Sequence, residues 1–123
     1  MERQKNVYGD DLNECGYEPI TGYFRDGSCN TDNGDHGSHT VCVQMTKEFL
    51  EYSMSKGNDL STPVPEFDFP GLIPGDRWCV CALRWKEAYD EGVAPKIILL
   101  STNEKVLDII PLELLKLHAI DLS

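Results

Sequence analysis

The sequence predicts an α+β fold: a small mixed sheet of three or more strands, short helices, and a long glycine- and aspartate-rich N-terminal loop region. Three observations predict it. Short β-branched or apolar runs stand at residues 39–45 (HTVCVQM), 77–83 (RWCVCAL) and 96–100 (KIILL). A capped amphipathic segment follows the first of them, and six of the ten glycines fall within residues 1–39. With 123 residues, a hydrophobic fraction of 41% and a charged fraction of 26%, residues 1–123 form a single domain of ordinary globular composition.

In chain order, the glycines of residues 1–39 together with Pro19 leave no room for a helix of ordinary length, so turns are expected, with a short extended piece at 20–25. The stretch 29–37 (CNTDNGDHG) is too polar to be ordered by apolar burial. After the first strand, Thr46 is placed to cap a helix over 47–56, with Gly57 as its left-handed stop. Residues 57–76 hold four prolines and three glycines and predict a long loop. Its apolar residues Leu60, Val64, Phe67, Phe69, Leu72 and Ile73 are expected to tie it down as a cover over the sheet.

The period of two in the second strand places Trp78, Val80 and Ala82 on one face and Cys79, Cys81 and Leu83 on the other. A helix over 84–91 ends at Gly92, and the third strand, 96–100, is apolar enough to be central. Ser101 with Glu104 resembles a capping box for a short helix over 103–108, and Pro111 opens the last helix, 111–117.

Charge and thiols bound the function. A formal net charge of −10 disfavours nucleic acid and anionic membrane surfaces as partners, and no apolar run reaches the ~18 residues of a membrane span. The opening residues lack an apolar signal core, so cytoplasmic residence is expected, and with it five reduced cysteines. The phosphate-cradling glycine motifs are absent, the stretch 30–35 lacks the glycine and the bidentate glutamate of a calcium loop, and Asp26, Asp32 and Asp35 read as a solvated turn rather than a loose site for a hard cation.

The sulfur and imidazole groups are the strongest candidates for chemistry. Cys29, His39 and Cys42 follow C-x9-H-x2-C, and Cys79-x-Cys81 lies on the second strand. If the first strand pairs with the second, Cys42 joins Cys79 and Cys81 on one face. Three or four of Cys29, His39, Cys42, Cys79 and Cys81 would then be the ligands of a tetrahedral metal, zinc being the expected ion and copper(I) also suited to thiolates. Buried thiols packed as small hydrophobes are the commoner use of strand cysteines. A second expectation is a thiol-dependent enzyme using Cys29 or Cys42 with His39. A small-molecule site is expected at Arg25, Asp26, Asp76, Arg77 and Trp78, where arginines beside aromatics suit a planar anion and Arg–Asp ion pairs offer the structural alternative. A third reading is a protein–protein adaptor contacting through the aromatic loop. His118, near an apolar helix end, reads as a partly buried surface histidine.

The pieces TGYFRDGSCNT, GSHTVCVQMTKEFLEYS, GNDLSTPVPEFDFPGLIPGDRWCVCALRWKEA and PLELLKLHAIDL resemble the domain of unknown function 2237 family, small and mostly bacterial uncharacterised proteins. The resemblance covers nearly the whole chain and implies a single cytosolic domain, without an activity or catalytic residue to carry over. Cys29, His39, Cys42, Cys79 and Cys81 fall within the family pattern and His36 outside it, which favours His39 as the imidazole.

Overall fold

A computed structural model describes residues 4–121. Three strands form an antiparallel sheet of order β2-β1-β3, with β1 at Val41–Gln44, β2 at Arg77–Val80 and β3 at Lys96–Ile97. Three short helices accompany it, α1 (Lys47–Ser55), α2 (Ala82–Asp90) and α3 (Leu112–Leu117). A single parallel bridge from Ile97 to Ala119 ties the end of the chain to β3. Among the described residues, no helix is long and apolar enough to cross a membrane.

β1, not the 96–100 run, is the central strand. The apolar run breaks after two strand residues because the Asp121 carboxylate accepts the N–H groups of Leu99 (2.8 Å) and Leu100 (3.0 Å), which turns 99–101 into a 3-10 segment. Helix α1 forms where its pattern places it. The Thr46 hydroxyl accepts from Phe49 N at 3.2 Å, and Gly57 takes the left-handed conformation at φ +83°. Helix α2 begins earlier than expected, at Ala82, since the Cys81 carbonyl already accepts from Trp85 N. The segment after Ser101 is a 3-10 helix (Glu104–Asp108), capped by Asn103.

The alternation of β1 divides the molecule into two sides. Val41 and Val43 face the main core, where they join Trp78, Val80, Phe49, Trp85 and Leu115 from β2 and the helices. Trp85 is fully buried, donates to the Pro95 carbonyl (3.2 Å), and packs against Tyr89 and His118 with ring centroids 5.7 and 5.3 Å away. Cys42 and Cys79 lie in a second, smaller cluster with Cys15, Cys29 and Ile98.

That second side is covered by residues 4–40, which form neither helix nor strand, only isolated bridges and turns. The piece at 20–25 is a turn, with Arg25 N bonded to Gly22 O and Arg25 itself at φ +55°. Polar side chains organise the segment. Gln4 pairs with both backbone groups of Thr31, and the Asn103 amide donates to Gln4 and to the Cys29 carbonyl. Gly27 must be glycine. Its φ is +88°, and a Cβ there would run into the Tyr17 ring.

The 57–76 loop is tied down by fewer apolar residues than expected. Leu72 is buried, and Leu60 and Phe69 are packed against the core, but Phe67 and Ile73 are 75% and 66% exposed. Local polar bonds complete the tie. The Asp59 carboxylate accepts from Ser61 N, Thr62 N and the Thr62 hydroxyl, which together hold its pKa below the ordinary value.

Candidate functional site

Cys42 and Cys79 are direct register partners across the β1–β2 pair, so the expected meeting of these two strands on the cysteine face occurs. Neither bonds to the other. Each receives a cysteine from the N-terminal segment, giving the disulfides Cys15–Cys42 and Cys29–Cys79. The expectation of five reduced thiols is therefore corrected for four of them. Cys29 and Cys42 carry no thiol proton in this form, so neither can be the nucleophile of a thiol enzyme.

The pairing follows from how the loop is held. Cys15 N donates to Gly27 O at 2.7 Å and Cys79 N to the Thr21 hydroxyl at 2.8 Å, which lays 15–29 across the sheet face. The sulfurs of Cys15, Cys29 and Cys79 all lie within 4.8 Å of one another, and these residues and Cys42 are no more than 2% exposed.

The expected metal set divides in two. Cys29, Cys42 and Cys79 lie in the buried cluster together with Cys15. His39 and Cys81 lie outside that group of close sulfurs and border a pocket of about 230 Å³, which Trp78 and Arg84 also line. His36 is exposed.

The second group is built by one tight turn. Asp35 sits four residues before His39, and its side chain is fully shielded from solvent. Its Oδ1 lies 2.6 Å from His39 Nδ1, and its Oδ2 accepts from His39 N (2.8 Å) and the Thr31 hydroxyl (2.9 Å). Burial pushes the Asp35 carboxyl upward. The bonds from the His39 ring, the His39 backbone and Thr31 outweigh it, and the net pKa lies below the ordinary carboxylate value. An ionised carboxylate only accepts, so His39 Nδ1 carries a proton and the lone pair of the neutral ring is on Nε2.

A backbone bond from Ala82 N to Ser38 O (3.0 Å) pins this turn against the start of α2. It brings the imidazole beside Cys81, the N-cap residue of α2, which is half-buried and outside both disulfides. The gap between the two is kept by Gly37: a Cβ there would stand 3.0 Å from His39 Cε1 and 3.4 Å from Cys81 Sγ. The Tyr23 ring stacks on the imidazole with centroids 6.0 Å apart.

Of the five residues expected to hold a planar anion, two are seen in contact with each other. Arg25 lies over the Trp78 ring at 4.6 Å, so these two do meet. Asp26 is spent on its own turn, accepting from Ser28 N and the Asn30 amide. Asp76 accepts from Ile73 N in the turn before β2, and Arg77 is exposed on the strand. His118 is half-buried between Trp85 and Tyr89, and its Nδ1 is buried with no hydrogen-bond partner.

Sequence reasoning did not place Cys15, Asp35 or Arg84 at a site. For Asp35 a signal was present in the D-x3-H spacing, which on a tight turn returns the carboxylate to the ring. Cys15 and Arg84 had none: the partner of Cys15 lies 27 residues away, and the pocket that Arg84 lines is completed by His39, Asn58 and Leu60 from other segments.

Fold and site together define a small α+β domain stapled by two buried disulfides, with a thiol, an imidazole and a shielded carboxylate beside one of them. The chain belongs to the family described as uncharacterized protein conserved in bacteria (DUF2237), which matches residues 5–119. No curated protein matches it.

Proposed function

We propose that the protein performs thiol chemistry on a small polar molecule in the pocket beside the 29–42 segment, with Cys81 as nucleophile and His39 as its base. The observation that carries this reading is the 2.6 Å contact between His39 Nδ1 and the fully shielded Asp35 carboxylate, on an imidazole that shares the Gly37 gap with the free thiol. Nucleophile, base and orienting group are the parts a thiol enzyme needs.

In the step, the Cys81 sulfur bonds to an electrophilic carbon or sulfur of the substrate as its proton passes to His39 Nε2. The leaving group then takes that proton back from the imidazolium. Asp35 is a positioning residue that fixes the tautomer and stabilises the transient positive charge. Arg84 lends the pocket a cation that suits an anionic substrate. Its exposed contact with Glu87 at 3.6 Å is a weak competitor.

Alkylation of the unreduced protein by iodoacetamide at neutral pH tests the reading. One equivalent is expected to enter at Cys81, at least about tenfold faster than into a free cysteine peptide, and His39→Gln is expected to remove that excess rate. A Cys81 no faster than the peptide, or a rate indifferent to His39→Gln, overturns it.

A further inference from the structure

The four cysteines of the buried cluster have the makings of a second site, which adjoins the Cys81 pocket at Cys79. We propose that on reduction Cys15, Cys29, Cys42 and Cys79 bind one zinc ion, so that the metal replaces the two disulfides as the staple between the N-terminal segment and the sheet.

The spacing supports it. In a tetrahedral site with zinc–sulfur bonds of ~2.3 Å, neighbouring sulfurs lie ~3.8 Å apart. Three of the four sulfurs already fall within 4.8 Å of one another, and the fourth, Cys42, is bonded to Cys15. Two donors are fixed by register on paired strands, and two through their own backbone groups, Cys15 N donating to Gly27 O and the Cys29 carbonyl accepting from the Asn103 side-chain amide.

The surroundings also fit. The four cysteines are at most 2% exposed and pack with Ile98, and the close group of ligand atoms found there among the described residues consists of cysteines. Four thiolates close the coordination sphere, as in a structural rather than a catalytic zinc site.

The chemistry balances with a dithiol or phosphine as reductant. Each S–S bond takes two electrons and two protons. A dithiol becomes a disulfide, whereas a phosphine takes oxygen from water and becomes its oxide. Zinc then displaces the four thiol protons. The expected set of Cys29, His39, Cys42, Cys79 and Cys81 thus gives way to one that gains Cys15 and drops His39 and Cys81.

The test uses the full chain, reduced with tris(2-carboxyethyl)phosphine without oxygen, loaded with zinc or cobalt(II) and desalted. About one equivalent of metal is expected on the reduced protein and none on the oxidised one. Cobalt should show the absorption of a tetrahedral tetrathiolate. Cys81→Ser and His39→Ala should load as fully as wild type, which separates this site from the pocket, and Cys15→Ser should not give the tetrathiolate spectrum. The cobalt spectrum of the wild type counts thiolates even where Cys15→Ser fails to fold. Less than about a tenth of an equivalent on reduced protein, equal loading of the oxidised form, or loss of metal in Cys81→Ser or His39→Ala overturns the proposal.

Discussion

The two faces of the sheet are held by different physics. On the face of Val41 and Val43, three helices bury a continuous apolar cluster around Trp85. On the face of Cys42, a segment without helix or strand is fixed by two disulfides and a network of side-chain amides and carboxylates. A polar, glycine-rich segment buries too little apolar area to offset its ordering entropy, so covalent bonds and directed hydrogen bonds take that role. The proposed thiol site takes its imidazole and carboxylate from this second segment, where polar groups are plentiful and hydrogen bonds impose their geometry.

The comparison can be broken from either side. Trp85→Ala attacks the helical face and is expected to cost about 3–5 kcal/mol, lowering the urea midpoint of the whole domain in one transition. Removing one staple with Cys29→Ala and Cys79→Ala is expected to cost about 2–5 kcal/mol, since the bond closes a separation of 50 residues. Hydrogen exchange should tell the two apart. The double variant should lose protection mainly within residues 4–40 and keep it in α1 and α2. Uniform loss across both faces would show that they are not separable.

The smallest effect concerns Asp35. Asp35→Asn is expected to cost about 1–3 kcal/mol at neutral pH, because the shielded carboxylate accepts three bonds. Its pKa is lower in the folded protein than in the unfolded chain. The contribution is therefore full above the ordinary carboxylate value of about 3.9 and is lost as pH falls through the lower folded value. Chemical denaturation from pH 7 down to 2 should show wild type and Asp35→Asn separated at neutral pH and converging in acid. A separation that stays constant to pH 2 would remove the carboxylate from the explanation.

Much of the helical face was legible in the sequence. Thr46, Gly57 and the alternation through Trp78 and Val80 are local signals, and the structure uses each as expected. The third strand was misread because apolar composition does not show that Asp121, more than twenty residues away, takes the amides of Leu99 and Leu100. The early start of α2 was hidden for a similar reason. Cys81 continues the strand alternation in sequence, but its carbonyl opens a helix. At the site, the facing of Cys42 and Cys79 was legible from strand periodicity. The cysteine pairing was not, because five cysteines read as thiols carry no information about which loop crosses which strand. Asp35 was seen only as a solvated acid, since its burial depends on Thr31 and the His39 backbone closing over it.

The two covalent links are interleaved along the chain: one joins 15 to 42 and the other 29 to 79. A protease that cuts anywhere between residues 30 and 41 would therefore leave two polypeptides still tethered twice. The stretch that carries Asp35 and His39 can be severed and the pieces will migrate as one molecule until their sulfur bridges are opened.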